Sequence, residues 1–501
     1  MVARSPRHRA SSSWLSTTPI LLALGCASPS ATRDYERAAD IVHGRTGARI
    51  SAPADCDAAD AVVRELLADG LTVEEAAQIA LINNPAFQSA LAEIGASRAD
   101  VAQSALLTNP SLSLGLQFPE GGGLTDLTIG FAAQLADLWQ LPVRRQIAEA
   151  ELERTINQVG QRAVELVTEV RRRCYRVLAL EQALAFVEEN QRLGARVVEL
   201  STAQFKAGEV SEFDVNLART GALDAQEELI ATRGELAQAR VDLAEMLGLG
   251  GAMEPIRLVG ALPAPSSDAR TLEELVDTAM DQRFDLRVAW FATQRAEAAL
   301  RLEARRFLPD VQLGFAFERS EQRAIPGRNV LADTARASVA AGRLTAPSIQ
   351  SRGERQIEKS QIIDAKLGPT LAMTLPLFDW NEAQIAKARV RVLQARKDYD
   401  ALAQTAIAEV TRAHALAEAA REMLEFQKGE AIELAEATLT GAEQRYQAGE
   451  EGLLALIDAQ EALVRRRRAY AAALRDYSTA LATLEGAIGG RAGQSGDQMR
   501  E

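Results

Sequence analysis

The chain has 501 residues, with 56 basic and 69 acidic side chains and a net charge of −13. This length allows a large core, and the acidic balance argues against nucleic-acid binding. A charged content of 25% with only 5% aromatic residues is typical of Ala-rich coiled-coil helices. Three cysteines and three histidines leave little room for a metal cluster, so we predict neither an enzyme active site nor a bound cofactor.

The N-terminus has the pattern of an export signal. Three arginines without acids precede the apolar stretch from Trp14 to Leu24. Ala23-Leu24-Gly25-Cys26 then resembles a lipobox, at which a bacterial lipoprotein is cleaved and its cysteine acylated. We predict a signal peptide over residues 1–25 and a covalent lipid on Cys26. The alternative is an ordinary cleaved signal without a lipid.

Residues 26–70 are polar, rich in alanine and without a clear period, and are predicted to be a lipidated linker or a segment on the surface. Cys56 lies in this segment. It could pair with Cys174 after export, although nothing in the sequence places the two together. Because no later run of eighteen apolar residues exists, any membrane-spanning part would have to be built from strands.

Residues 71–251 are predicted to form a first repeat of helix, β-hairpin, long helix and return helix. Thr72 with Glu75 forms a capping-box pattern at the first helix, and Asn84-Pro85 is expected to kink that helix before it ends near Leu107. Alternating apolar residues then predict a hairpin. The predicted spans are 111–135 for the hairpin, 143–207 for the long helix and 211–248 for the return helix.

A second repeat, residues 271–490, has the same parts in the same order after a linker at 252–270. It opens with a capping box at Thr271 and Glu274, and its first helix is predicted to run unbroken to about Arg306. The predicted spans are 310–377 for the hairpin, 320–366 for a long loop within it, 370–377 for its last strand, 381–448 for the long helix, 452–487 for the return helix and 491–501 for a disordered tail.

The two repeats align without interruption on either side of the hairpins. An offset of 199 residues places Pro110 on Pro309, and an offset of 241 places Gly208 on Gly449. The difference falls in the long loop of the second hairpin. The chain is therefore an internal duplication.

The second long helix carries apolar and small residues at spacings of three and four, which predicts a helix packed along other helices. These are Ile385, Ala388, Val392, Ala395, Tyr399, Leu402 and Ala406. Each long helix would span about 100 Å at 1.5 Å per residue, and one short helix stacked on one return helix matches that length. We predict four columns, in which the return helix of the first repeat continues into the short helix of the second, and the return helix of the second completes the column begun by the N-terminal helix.

The hairpin strands are apolar on one face and small or polar on the other, the alternation of strands with lipid outside and water inside. Four strands cannot close a barrel, so closure would require further copies of the chain. The alternative is two soluble hairpins that pack their apolar faces on a core.

The chain resembles the TolC family of outer-membrane efflux ducts over most of residues 71–490. The resemblance rests on the duplication, the Asn-Pro and Leu-Pro-Asp ends of the short helices, the run Leu375-Pro-Leu-Phe-Asp379 and the two Phe/Tyr-x-x-Gly turns. Residues 314–319 and Gly368-Pro369 are most similar to the heavy-metal efflux branch. The resemblance implies a mainly α fold with a transmembrane β-barrel part. It also implies a homotrimer, with a 12-stranded outer-membrane barrel and a helical tunnel through the periplasm.

The resemblance also implies where partners and cargo would meet the chain. The turns at Phe205, Gly208, Tyr446 and Gly449 would dock a periplasmic adaptor protein and an inner-membrane pump. Asp458, and Asp214 in the first repeat, are candidates for acids that line the periplasmic aperture. The alternative for each is an exposed helix acid, and for the arginines at 465–468 we expect solvated or interhelical salt-bridge roles.

The sequence therefore favours a passive, lipid-anchored duct of the outer membrane that exports small solutes or metal cations and is not an enzyme. One alternative is a duct for type I protein or peptide secretion. Another is a soluble periplasmic coiled-coil scaffold without a pore.

Overall fold

The computed structural model describes residues 30–50, 56–68, 70–118, 125–250, 256–264, 270–321, 339–342 and 363–491. Cys26, the signal peptide, most of the 320–366 loop and the tail beyond residue 491 lie outside the described residues. The strands are β1 (Ser111–Gln117), β2 (Asp126–Gln134), β3 (Val311–Glu321) and β4 (Ile363–Met373). The helices are α1 (Thr32–Thr46), α2 (Cys56–Ala68), α3 (Val73–Asn83), α4 (Pro85–Ser104), α5 (Asp137–Ala207), α6 (Glu212–Met246), α7 (Leu272–Gln282), α8 (Phe284–Arg305), α9 (Glu382–Phe426), α10 (Ile432–Gln447) and α11 (Leu453–Ala487), with a π-helical turn (Gln427–Ala431) between α9 and α10.

The local signals at the start of each repeat are confirmed. Both capping boxes form, at Thr72 with Glu75 and at Thr271 with Glu274. The chain kinks at Asn84, whose side chain caps α4 ahead of Pro85. The seam predicted on the second long helix is turned inward, with Ala388, Val392 and Ala406 buried and the other four members half-buried.

The described part of residues 26–70 contains α1 and α2, so it is not a patternless linker; of the two forms predicted, it fits a segment packed on the surface of the other helices. Helix α1 packs on α4 and α5 and buries Ala38 and Val42. Its Asp34, almost fully buried, accepts two hydrogen bonds of 2.6 Å from Arg98. A short apolar stripe and two ion pairs with distant helices, Asp34 with Arg98 and Arg37 with Glu153, therefore hold a segment that shows no strong period.

The first long helix begins six residues before its predicted start at residue 143. Asp137 is buried at the new start and accepts hydrogen bonds from the Thr108 backbone N–H and from Arg144. These contacts fix the start of α5 beside the end of α4. Pro142 therefore lies inside the helix and not ahead of it. The second repeat also differs from prediction at its last strand, because β4 spans residues 363–373 instead of 370–377, and Pro376 follows outside the ladder.

The first helix of the second repeat is not continuous, contrary to prediction. It breaks at Arg283, the residue that the 199 offset places on Asn84. The buried Arg283 side chain bonds Asp285 at 2.6 Å, Glu409 at 2.8 Å and the Ala487 carbonyl oxygen at 3.0 Å. Tertiary contacts of an arginine thus make the kink that Asn-Pro makes in the first repeat.

The helices form a layer of four columns, but the stacking within the columns differs from prediction. Asn83 and Asn84 donate to the Leu247 and Met246 carbonyl oxygens, so the end of α6 meets the kink between α3 and α4. Arg283 holds the end of α11 at the kink between α7 and α8 in the same way. Each return helix therefore stacks under the short helix of its own repeat. The column of α8 and α11 lies between α5 and α9–α10, and the column of α4 and α6 lies on the other side of α5.

The core is distributed along these columns instead of being gathered at one point. Phe87, Leu91 and Ile94 of α4 pack on the upper part of α5, and Leu236 and Leu243 of α6 pack lower down. Cys174 of α5 is a free, buried cysteine, and burial raises the pKa of its thiol to about 12. Among the residues that the structure describes, no helix has the length and apolar character needed to cross a bilayer.

Replacing Arg283 by alanine is expected to destabilise the fold by about 1–3 kcal/mol, because the α11 carbonyl loses its donor and two carboxylates lose their partner. The measurement is urea unfolding of the detergent-extracted protein, followed by far-UV circular dichroism. Arg145→Ala, which removes an exposed i,i+4 pair with Glu149, is the control and should cost less than about 0.5 kcal/mol. Equal losses in the two variants would show that Arg283 does not hold the joint.

Candidate functional site

The four strands form one antiparallel sheet in the order β1-β2-β3-β4. The register aligns Leu112 with Phe131, Phe131 with Phe315, and Leu313 with Leu371. One face of the sheet is therefore apolar across all four strands. Its exposed members are Leu112, Leu114, Leu116, Ile129, Phe131, Leu313, Phe315, Leu367, Leu371 and Met373. Such a large exposed apolar surface marks a membrane or an interaction face.

The opposite face of the sheet is made of small and polar residues. Ser113, Gly130, Ala316 and Gly368 lie side by side across the four strands, and the neighbouring level pairs Glu318 with Lys366. A β-carbon at Gly314 would overlap the Phe131 carbonyl oxygen, so only glycine fits there. The alternation predicted from the sequence is thus present as two chemically different faces.

The sheet has two open edges in the described chain, since β1 and β4 each have a strand partner on one side only. Unpaired N–H and C=O groups along such edges template further pairing. Edges of this kind cannot lie in hydrocarbon without partners, because no water is available there to bond them.

The far ends of the long helices, which we call the two tips, are turns with the same hydrogen bonds. Gly208 has a φ of 81° and Gly449 has a φ of 73°, in the left-handed region that favours glycine. The Gly208 N–H donates to the Phe205 carbonyl oxygen and the Gly449 N–H to that of Tyr446. Phe205 is exposed, whereas the half-buried Tyr446 donates its hydroxyl hydrogen to Gln204 and so joins the tips.

The two acids predicted near the tips differ in their surroundings. Asp214 accepts hydrogen bonds from the Ser211 N–H at 2.9 Å and the Ser211 hydroxyl at 2.6 Å, which completes a capping box at the start of α6. The Ser211 hydrogen bonds lower the pKa of the Asp214 carboxyl below its usual range. This cap was not predicted, although Ser211-Glu-Phe-Asp214 has the spacing of a capping box.

The corresponding turn of the second repeat has no such cap. Gly452 and Ala455 stand where the first repeat has Ser211 and Asp214, and Gly452 makes no side-chain capping bond. Asp458 is exposed one turn further along α11. The two candidates therefore differ: Asp214 caps a helix start, whereas Asp458 is an exposed acid on α11.

Two of the four arginines at 465–468 link helices, whereas Arg465 pairs with Glu461 within α11. Arg467 of α11 contacts Glu189 of α5 and Glu436 of α10, each at 3.2 Å, and its guanidinium lies over the Phe186 ring. Arg468 pairs with Glu228 of α6. The described residues contain no group of His, Cys, Asp and Glu that could hold a metal ion.

Comparison with known proteins matches nearly the whole described fold. The family model described as outer membrane efflux protein matches residues 76–249 and 275–490. The multidrug resistance outer membrane protein MdtQ of Escherichia coli O6:H1 (strain CFT073) is 28% identical over 167 residues; this match spans 32% of the chain and only 35% of MdtQ.

Two solved structures have the same fold. A membrane protein from Pseudomonas aeruginosa is 19% identical with a TM-score of 0.65, covering 83% of this chain and 92% of that one. The Campylobacter jejuni CmeC outer membrane channel is 14% identical with a TM-score of 0.61, covering 97% of this chain and 94% of that one.

The cap at the first tip gives a local test of these assignments. Ser211→Ala is expected to destabilise the start of α6 by about 0.5–2 kcal/mol, because the N-cap hydroxyl is lost. Hydrogen exchange of the amides of residues 212–215 should accelerate, and Asp214→Ala should act in the same direction. Asp458→Ala is the control and should leave exchange at the start of α11 unchanged. Faster exchange there would mean that Asp458 also has a capping role.

Proposed function

Because the chain belongs to the outer membrane efflux protein family, we propose that it is a passive outer-membrane duct of a tripartite efflux system. The observation that carries the proposal is the sheet with one continuous apolar face and one face of small and polar residues. Lipid would contact the first face and water the second. A duct of this kind performs no reaction of its own.

The open edges of β1 and β4 support a homotrimer. In a membrane these edges must pair with strands of other copies, since unsatisfied backbone groups are costly there. Three copies supply twelve strands, enough for a barrel with a water-filled interior. The soluble-scaffold alternative would leave ten large apolar side chains of the sheet in water.

The helical part would extend from the membrane into the periplasm. Helix α5 has 71 residues and spans about 106 Å at 1.5 Å per residue. The tips at Gly208 and Gly449 lie together at its far end, which is where a periplasmic adaptor protein and an inner-membrane pump would dock. The same backbone hydrogen bonds around a left-handed glycine at both tips support a common docking role for the two repeats.

The position of α1 supports a lipid anchor on Cys26. Asp34 is tied to Arg98 near the end of α4 that leads to β1, and so lies near the base of the sheet. The eight residues from Cys26 to Asp34 can span at most about 28 Å. An acylated Cys26 could therefore insert into the inner leaflet of the outer membrane while α1 stays docked.

Small solutes or metal cations are the cargo that we propose. Three copies of the exposed Asp458 around an axis would concentrate negative charge and favour cations. The relative MdtQ is named as a multidrug resistance outer membrane protein, which also favours small solutes. Secretion of proteins or peptides by the same duct is the alternative.

Cysteine accessibility in a planar bilayer tests the duct. Ala372 and Met373 are neighbours in β4 and lie on opposite faces of the sheet. The wild type should form a pore, and a water-soluble thiol reagent should reduce the current through Ala372→Cys because that face lines the water-filled interior. Met373→Cys is the matched control, and its current should stay unchanged. Absence of a pore, or equal responses of the two variants, would contradict the duct.

Mass spectrometry of the mature N-terminus tests the anchor. The first residue is expected to be Cys26 carrying acyl chains, and Cys26→Ser should yield an unprocessed or unacylated chain. Pore formation by wild-type protein serves as the control that the sample is correctly assembled. A mature N-terminus at another residue, or an unmodified Cys26, would rule out the lipid.

A further inference from the structure

A groove of about 830 Å³ runs along the upper part of α5, between α8 on one side and α1 with α4 on the other. We call it the α5–α8 groove. Arg37, Arg98, Arg301 and Arg305 line it. Four cations are thus gathered in one groove of a chain whose net charge is −13, which calls for a physical reason.

Two of these arginines are neutralised by acids. Arg37 donates two hydrogen bonds, of 2.7 and 2.8 Å, to Glu153, and Arg98 donates two of 2.6 Å to Asp34. Glu149, the other acid that lines the groove, pairs at 2.8 Å with an arginine of α5 outside it. The acids at the groove are therefore already engaged.

Arg301 and Arg305 form no ion pair with a carboxylate of the described residues. The Arg301 Nη2 donates to the Gln146 side chain at 3.3 Å, and the Arg305 Nη1 donates to the Trp139 carbonyl oxygen at 2.6 Å. Both guanidinium groups are thereby held over α5, on one face of α8 because the two residues are four apart. Each guanidinium has five N–H donors, so most of them stay free.

An aromatic pair next to these arginines indicates where the membrane ends. Phe307 follows α8 and Trp380 precedes α9, and their ring centroids are 5.4 Å apart. Both side chains are nearly half exposed. Aromatic residues of this kind form girdles at the two interfaces of a membrane barrel. Arg305 comes two residues before Phe307, on the side of the helices, and Arg301 lies one turn further from the sheet.

We propose that Arg301 and Arg305 bind the phosphate of an anionic phospholipid in the inner leaflet of the outer membrane. The proposal rests on the duct proposed above, because the duct sets the plane of that leaflet. A guanidinium binds phosphate oxygens through two parallel N–H bonds, and basic residues beside a membrane-spanning segment attract anionic lipids.

The depth of the two arginines favours a lipid over a partner protein. They are about 6 Å apart along α8. The headgroup region on each side of a bilayer is about 5–8 Å thick, so both guanidinium groups would lie at the level of the phosphates. A protein partner would have to displace headgroups to reach them.

Titration with phosphatidylglycerol tests the site in the full-length protein. The protein is purified in detergent, stripped of lipid and titrated, and native mass spectrometry counts the bound lipids. Wild type should bind one phosphatidylglycerol per chain before further lipids add. Arg301→Gln combined with Arg305→Gln should weaken this first binding by about fivefold for each arginine removed.

Arg219→Gln combined with Arg412→Gln is the matched control. Both arginines are exposed, and the double change removes the same charge. Arg412 lies thirty residues into α9, about 45 Å from the start of that helix, and Arg219 lies near the first tip. The control should bind phosphatidylglycerol as the wild type does. Equal binding by the control and by the groove variant would overturn the site.

A single change guards against an effect on folding. Arg305 also bonds the first turn of α5, whereas Arg301 contacts only the exposed Gln146 side chain among the hydrogen bonds of the described chain. Arg301→Gln should therefore keep the native mass and the urea unfolding curve of the wild type. Its affinity for phosphatidylglycerol should still fall about fivefold. An unchanged affinity would contradict the proposal.

Two further ligands identify the source of the phosphate. Phosphatidylcholine carries the same phosphate with a balancing ammonium group and should bind the wild type more weakly than phosphatidylglycerol. Inorganic phosphate in excess should not displace the lipid, because it has no acyl chains. Equal binding of the two lipids, or displacement by inorganic phosphate, would overturn the assignment to an anionic phospholipid.

Failure of this inference can be told from failure of the duct. If the wild type forms pores in a planar bilayer while the groove variant and the control bind phosphatidylglycerol equally, the duct stands and the lipid site is wrong. Absence of pores in the wild type would instead remove the duct, and with it the membrane plane on which the inference rests.

Discussion

The pairing of carbonyl groups at helix ends is the constraint on which the columns depend. A helix leaves its last carbonyls without intrahelical donors, and the two return helices end in the interior of the layer. Asn83 and Asn84 supply donors to the end of α6, and Arg283 supplies one to the end of α11. The turns beyond these helices use Gly248 and Gly489, both with positive φ.

These joints leave no room for a side chain. A β-carbon at Gly248 would lie 2.5 Å from the Asn83 carbonyl oxygen, and one at Gly489 would lie 3.1 Å from the Arg283 backbone. In each of the two stacked columns, the short helix and the return helix therefore continue one another across a kink and a glycine turn. Because both joints lie at the same place in their repeats, the duplication preserves the height of the layer.

Features encoded by residues near one another could be predicted from the sequence. The heptad seam, the capping boxes, the Asn84-Pro85 kink, the strand alternation and the tip glycines are local patterns. The kink at Arg283 and the order within α1 depend on distant partners, Ala487 and Glu409 in one case and Arg98 in the other. The predicted stacking of the columns was wrong for the same reason. The helix lengths allow each return helix to stack on either short helix, and only the side-chain donors select between these two pairings.

The two repeats make the same contact where the return helix meets the short helix, but they differ in the long helix and in the start of the return helix, which we call the lower arm of each repeat. The first has an unbroken α5 and a capped start of α6, whereas the second has a π-turn and an uncapped turn at Gly452. The π-turn was not predicted from the sequence; in the structure it shifts the buried positions, which follow one another as 424, 427, 431 and 435. Arg467 and Tyr446 tie this less regular arm to α5, so the two arms are held at one level.

The order of strands in the sheet also sets an order of events during folding. β1 and β2 are close in sequence, but β2 and β3 are neighbours separated in sequence by everything between Gln134 and Val311. Closing so long a loop costs conformational entropy before the hydrogen bonds between β2 and β3 can offset it. Contacts between residues far apart in sequence therefore form slowly. The helices α5 to α8 shorten that loop by bringing Ala136 and Pro309 to the same end of the layer. We therefore expect β2 and β3 to pair only after α5 to α8 have packed together.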